Sequence, residues 1–251
     1  MPNEDHAKAK THVRLRRVAL GLLAALAIVV VAFLAYASTY SRATARAEAA
    51  LAGSDSVRVT ATANGYLFDG PGTEDALVFY PGGKVQCEAY AAQLESIAEK
   101  GTDVFLVRMP LNFAFLDMNA ADSIIGGGEY HYSHWYVGGH SLGGAMAAVY
   151  AADHTRELDG LVVLAAYPTK SLRASGFRML SVYGSEDGET DKLQSHADLR
   201  PDDYAELVIE GGNHAQFGDY GAQDGDGVAT KSVEEQQELT ANAVAAFTQS
   251  E

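Results

Sequence analysis

Residues 135–154 read WYVGGHSLGGAMAAVYAADH. WYVGG (135–139) is a short β-prone run, and LGGAMAAVYAADH (142–154) is an alanine-rich stretch of helical character. Only His140 and Ser141 separate them, so the chain must pass from strand to helix in one sharp turn. Gly139-His140-Ser141-Leu142-Gly143 fits the pattern G-x-S-x-G, with Gly144 extending it. In a strand–turn–helix context the pattern has a mechanical meaning: the serine is forced into a strained conformation with its Oγ exposed. The flanking glycines remove side chains that would collide across the turn. The new helix also aims its free N–H groups and positive dipole end at the same place. Ser141 is therefore a candidate nucleophile.

Outward from this turn, short apolar runs alternate with helical stretches. VRVTAT (57–62) and a segment from Gly65 to Phe68 read as an opening antiparallel hairpin with Asn64-Gly65 as its turn. ALVFY (76–80), DVFLVRM (103–109), LVVLAA (161–166), MLSVYG (179–184) and AELVIEG (205–211) read as further strands. Helices are predicted over about 87–99, ending at Gly101, over Leu116–Ile125, and from a Ser232–Glu235 capping box to about Phe247. Continuous apolar strands alternating with helices imply a mostly parallel sheet covered on both faces. The fold class is α/β, doubly wound, with about eight strands.

A serine hydroxyl needs a base, and the base an orienting acid. In a doubly wound sheet the active groups gather beyond the carboxyl ends of the strands, which sorts the eight histidines. His6 and His12 precede the fold, while His131, His134 and His154 belong to the opposite edge. His140 lies in the turn itself and packs beneath it, and His196 sits in a polar segment. His214, in EGGNHAQF (210–217) just past the last strand, is the base candidate. The acid should follow the preceding strand, where SEDGETD (185–191) offers four carboxylates. Asp187 is the first choice, with Glu186 and Glu189 as alternatives.

The order Ser141…Asp187…His214 is that of α/β-hydrolases, and residues 57–248 resemble a small member of that family near its dienelactone-hydrolase-like branch. FYPGGKV (79–85), GGHSLGGAMA (138–147), YGSEDG (183–188) and GGNHAQFGDYG (211–221) carry the likeness. The resemblance implies a Ser-Asp-His esterase or lipase-like hydrolase without a cofactor. Dienelactone hydrolases proper use cysteine as nucleophile, so their lactone substrate does not carry over to Ser141. An oxyanion hole needs two N–H donors: Leu142 after the nucleophile, and one from the loop after the 76–80 strand. Many relatives have His-Gly in that loop. Here it is Pro81-Gly82-Gly83-Lys84; Gly83 is the expected donor, Lys84 the second choice, and Pro81 has no N–H to give.

The N-terminus is a different kind of sequence. VALGLLAALAIVVVAFLAYA (18–37) is uncharged and long enough to span a bilayer. Residues 1–46 hold seven bases against Glu4 and Asp5, a net of +5, so of the formal −15 the rest carries −20. Five of those bases precede the apolar run, which directs residues 1–17 to the cytoplasm and the remainder outside. The run exceeds an ordinary signal core of about 7–15 residues, favouring an anchor over a signal cleaved at Ala35-Tyr36-Ala37. Residues 38–56 read as a linker and 57–251 as the α/β domain.

The acidic balance argues against nucleic acid as partner, because phosphate binding needs a basic face. The single cysteine, Cys87, rules out an internal disulfide framework. His131 and His134 lack a metal-ligating partner, and Asp219, Asp224 and Asp226 read as a solvated loop. PTKSLRASGF (168–177) is too short and polar for a helical lid. The expectation is a membrane-attached hydrolase of short or medium acyl esters, without cofactor or metal. An acyltransferase or a catalytically idle binding module on the same fold are the alternatives.

Overall fold

The computed structural model describes residues 3–173 and 176–250. Residues 1 and 2 of the basic segment, and residues 174 and 175 of the stretch read as too short for a lid, lie outside them. The chain divides into a unit ending at Thr39 and a second unit from Tyr40 onward. The first is one helix, α1 (Asn3–Ser38), in which Arg14–Ser38 is long and apolar enough to cross a membrane or to serve as a signal sequence.

The second unit holds α2 (Ala45–Ala50), β1 (Arg58–Thr62), β2 (Gly65–Asp69), β3 (Asp75–Tyr80), α3 (Ala91–Ala98), β4 (Thr102–Val107), α4 (Asp122–Ile125), β5 (His134–His140), α5 (Leu142–Asp153), β6 (Gly160–Leu164), β7 (Arg178–Gly184), α6 (Thr190–Gln194), β8 (Asp203–Ile209) and α7 (Val233–Thr248). The eight strands form one sheet in the order β1-β2-β4-β3-β5-β6-β7-β8. The β1–β2 and β2–β4 pairs are antiparallel, and every pair from β4 to β8 is parallel. The expected class and strand number are both observed.

Each face of the sheet has its own core, because strands covered on both sides must be apolar on both sides. Phe79, Leu94, Val104, Phe217, Val244 and Phe247 pack on the face covered by α3 and α7. Tyr80, Phe105, Ala147, Ala151, Leu161 and Met179 pack on the face covered by α5. The capping box of α7 is present, with Ser232 and Glu235 each bonding the other's backbone N–H.

Two local expectations are corrected. The hairpin turn is Ala63-Asn64, since Thr62 pairs with Gly65. Gly65 belongs to the strand, pairing with Thr62 and Val107, and only glycine fits there, since a Cβ would lie 1.9 Å from the Leu106 carbonyl oxygen of the adjoining strand. The helix expected over Leu116–Ile125 shrinks to α4, preceded by 3-10 turns at Pro110–Asn112 and Ala114–Leu116. Asp117, inside the expected range, has φ −152° and ψ 63°, outside the helical region. The buried Tyr80 hydroxyl then donates to the Met118 carbonyl and accepts from Ala121 N–H, taking backbone groups that a longer helix would have paired.

A further observation concerns residues 41–50 within the stretch read as a linker, which are docked on the domain. Ser41 N–H donates to the Lys84 carbonyl (2.8 Å), and Gln86 N–H donates to Ser41 (2.9 Å). Thr44 caps α2, whose Ala47 is fully buried. Small alanine side chains let that short helix sit flat on the domain, and its burial was invisible as an amphipathic stripe.

Candidate active site

Ser141 stands at the end of β5, with φ 53° and ψ −125°. Such a conformation costs a non-glycine residue about 1–3 kcal/mol and persists only where its surroundings enforce it. Here Ser141 N–H remains bonded to Leu164 of β6 (2.9 Å) while the chain turns immediately into α5. The turn closes because Gly143 allows contact: a Cβ there would lie 2.3 Å from the carbonyl oxygens of Tyr80 and Pro81.

His214 follows β8 and is gripped on both sides. Gln236 of α7 accepts from Asn213 N–H (2.9 Å) and donates to the Asn213 carbonyl (2.8 Å). Asp226 accepts from Ala215 N–H at 2.9 Å. Asp187 follows β7, with Oδ1 accepting from Glu189 N–H at 2.8 Å. Its Oδ2 lies 2.9 Å from His214 Nδ1, and both side chains are buried. A carboxylate accepts, so Nδ1 donates to it, and Nε2 is the ring nitrogen that could accept a proton. Glu186 lies against Gly227 and Glu189 pairs with Lys192; among the described residues neither bonds His214.

Ser141, Asp187 and His214 line one cavity of about 230 Å³, together with Gly188, Glu189, Gln223, Asp224, Gly225 and Asp226. No lysine or arginine is among these lining residues. Two cavities more than twice as large contain no nucleophile–base pair. One, of about 550 Å³, lies behind the 221–229 loop; the other, of about 630 Å³, is lined by Glu74, Asp75, His134 and Arg178 at the opposite ends of the strands. Chemistry rather than size picks out the site.

The segments that hold the expected oxyanion donors approach each other closely. Leu142 opens α5, where a first-turn N–H has no intrahelical acceptor. Gly83 N–H has no backbone acceptor among the described residues, whereas Lys84 N–H is used by the Asn112 carbonyl (2.8 Å). A Cβ on Gly83 would stand 2.7 Å from Leu142 Cδ2, a measure of how closely the two loops approach.

His140 is buried beneath the turn, with Nδ1 2.8 Å from Tyr90 Oη and Nε2 3.1 Å from the His214 carbonyl oxygen. Burial, reinforced by the nearby His214, pushes its pKa well below the usual histidine value. Gly82 N–H donates to Tyr90 Oη at 3.0 Å. Cys87 is a packed thiol whose pKa burial pushes up to about 12. His196 stacks on Tyr167 away from the cavity. Among the described residues no group of three or more His, Cys, Asp or Glu is arranged to hold a metal ion.

Sequence reasoning missed two features of the site. The 223–226 stretch borders the cavity rather than standing clear in solvent, and its position soon after His214 was the available signal. Asp219 is buried and ion-paired with Arg46, a contact across 173 residues that no local pattern announces.

These features define an α/β-hydrolase fold with a strand–serine–helix turn. A model of the alpha/beta hydrolase family matches residues 76–238, and the chain belongs to that family. No curated protein matches the chain. Among solved structures it is similar to an M. tuberculosis esterase (14% identity, 81% of this chain and 96% of that one, TM-score 0.56). It is also similar to Est1E from Butyrivibrio proteoclasticus (13% identity, 76% and 98%, TM-score 0.52). A third is a monoacylglycerol lipase from Paleococcus ferrophilus (16% identity, 70% and 96%, TM-score 0.51).

Proposed function

We propose that this chain is a serine hydrolase of carboxylic esters, with Ser141 as nucleophile, His214 as base, Asp187 as its orienting acid and the Leu142 and Gly83 amides as oxyanion hole. The observation that carries this reading is the buried 2.9 Å contact between Asp187 Oδ2 and His214 Nδ1 in the cavity that Ser141 also lines. That contact commits His214 Nδ1 to Asp187, so Nε2 is the nitrogen assigned to take the serine proton, and esterases of the same fold support an acyl-ester substrate.

His214 Nε2 takes the Ser141 proton as Oγ attacks the acyl carbonyl, and Asp187 holds the imidazolium that results. The two amides stabilise the tetrahedral oxyanion, each such donor being worth about 3–4 kcal/mol in this chemistry. His214 then returns its proton to the departing alcohol oxygen. A water deprotonated by the same Nε2 attacks the acyl-enzyme, and the acid leaves with Ser141 restored.

The four carboxylates lining the cavity favour uncharged or cationic esters over anionic ones. The apolar run at 18–37, with five bases before it, supports a single-pass membrane attachment with residues 1–17 in the cytoplasm and the hydrolase outside.

Fluorophosphonate labelling of the full chain, alongside Ser141→Ala, tests this directly. Labelling of the native chain alone, with turnover of short acyl esters, is the expected result. A native chain that takes no label and cleaves no ester would refute the reading.

A further inference from the structure

We propose that Tyr90 and His140 are positioning residues that tie the oxyanion loop to the loop carrying the base. This rests on the hydrolase reading above and adds a requirement to it.

The polarity of the network follows from what each atom can do. The His214 carbonyl can only accept, so His140 Nε2, 3.1 Å away, carries a proton. A neutral ring has one proton, so Nδ1 accepts, and the Tyr90 hydroxyl 2.8 Å away must donate to it. Tyr90 Oη in turn accepts from Gly82 N–H. The result is a one-way series of donors: Gly82 N–H to Tyr90, Tyr90 O–H to His140, His140 N–H to the His214 carbonyl.

The series has a geometric purpose. Gly82 belongs to the loop after β3 and His214 to the loop after β8, and β5, β6 and β7 lie between those strands. Four strand spacings of about 4.8 Å separate the two roots, so the sheet alone cannot set the distance between the loops. Tyr90 and His140 cross that gap beneath Ser141. The amide of Gly83, next to Gly82, and the imidazole of His214 are thereby placed from one frame.

The surroundings keep the series intact. Tyr90 and His140 are buried, and Phe79, Phe217 and Tyr220 pack around them with ring centroids 5.4–6.5 Å apart. The groups able to titrate against His140 are Tyr90, Tyr220 and His214. A second proton on His140 would make both ring nitrogens donors and leave the buried Tyr90 O–H without an acceptor. Burial of the ring therefore protects the direction of the series as well as its existence.

The test uses the full chain in detergent, with Tyr90→Phe, His140→Gln, His140→Leu and, as a control, Tyr136→Phe. Tyr136 donates to the Thr248 carbonyl far from the site. Each preparation is titrated with a fluorophosphonate to count competent serines. Then kcat and KM for a short-chain p-nitrophenyl ester, and the thermal midpoint, are measured. Loose positioning should lower kcat per titrated site about 10- to 100-fold in Tyr90→Phe and His140→Leu, with KM within about twofold. His140→Gln retains a donor and an acceptor and should recover most of that loss, while Tyr136→Phe should lower the midpoint without changing kcat. Unchanged kcat per titrated site in Tyr90→Phe and His140→Leu overturns the proposal, even if their midpoints fall. If His140→Leu does not fold, Tyr90→Phe decides alone. A native chain that neither labels nor turns over overturns the hydrolase reading itself, and is distinguished by that result.

Discussion

Arg46 Nη1 lies 2.7 Å from both carboxylate oxygens of Asp219 and 2.8 Å from Gln237 Oε1. Arg46 stands eight residues beyond the end of α1, and Asp219 five residues beyond His214. The contact therefore fixes the segment that follows the apolar helix to the loop that carries His214. Thr44 N–H donates to the Asp219 carbonyl (2.8 Å), and Ser41 bonds the loop after β3. The strap touches both sides of the site.

The strap should be necessary for activity. Arg46→Ala leaves the buried Asp219 carboxylate without its main partner and should cost about 1–3 kcal/mol. Adding Asp219→Asn should recover part of that loss. Denaturant unfolding measures both, and a chain beginning at Tyr40 should be active where one beginning at Ala47 is not. Equal activity of the two truncations would remove any role for the strap.

Asp187 should be the acid of the triad. On the proposed mechanism Asp187→Asn favours the wrong imidazole tautomer and costs roughly 10⁴-fold in kcat. Glu186→Gln and Glu189→Gln, whose carboxylates do not bond His214, should stay within a few-fold of the native rate. Steady-state kinetics with a chromogenic ester decide the assignment, and a near-normal Asp187→Asn rate would overturn it.

His140 should make the fold acid-sensitive. Its folded pKa lies well below the ordinary value of 6.5, so it stays neutral when folded but binds a proton when unfolded. Its contribution to stability is therefore complete above about pH 6.5 and declines as pH falls from there toward the folded pKa. Thermal midpoints between pH 7.5 and 5 should fall, and should fall less steeply in His140→Gln. Parallel curves for the two proteins would mean that another group governs the loss.

Substrate charge and length should both matter. The carboxylates of Asp187, Glu189, Asp224 and Asp226 face the cavity. An ester bearing a carboxylate should thus react more slowly than its neutral isostere, with the gap narrowing as salt screens the field. Among the described residues no helix lies between Leu164 and Arg178. Short to medium acyl chains should be preferred, since each methylene gains about 0.8 kcal/mol only where apolar wall receives it. A sharp rise in rate at the micelle threshold would contradict this.

Topology has its own test. Protease added to intact spheroplasts should reach the hydrolase domain, and alkaline carbonate should leave the full chain with the membrane. Active enzyme in the medium beginning at Ser38 would identify the apolar run as a cleaved signal.

The α/β class, the strand count and the position of Ser141 were legible in residues 57–248 because each rests on short-range physics. Apolar runs declare buried strands, and a serine between glycines at a strand–helix junction declares a strained turn. The placement of His214 and Asp187 followed from chain order and sheet polarity, which require only that both loops leave the same edge. The discontinuous 110–125 segment was not legible, because a buried tyrosine hydroxyl from β3 decides its backbone pairing. Nor was the docking of residues 41–50, whose alanines carry little hydrophobic pattern and whose anchor is an aspartate 173 positions from Arg46. The sequence placed His140 under the turn. Only the tertiary structure set its partners, because three intervening strands must be stacked before Gly82 and His214 come within reach of one imidazole and one phenol.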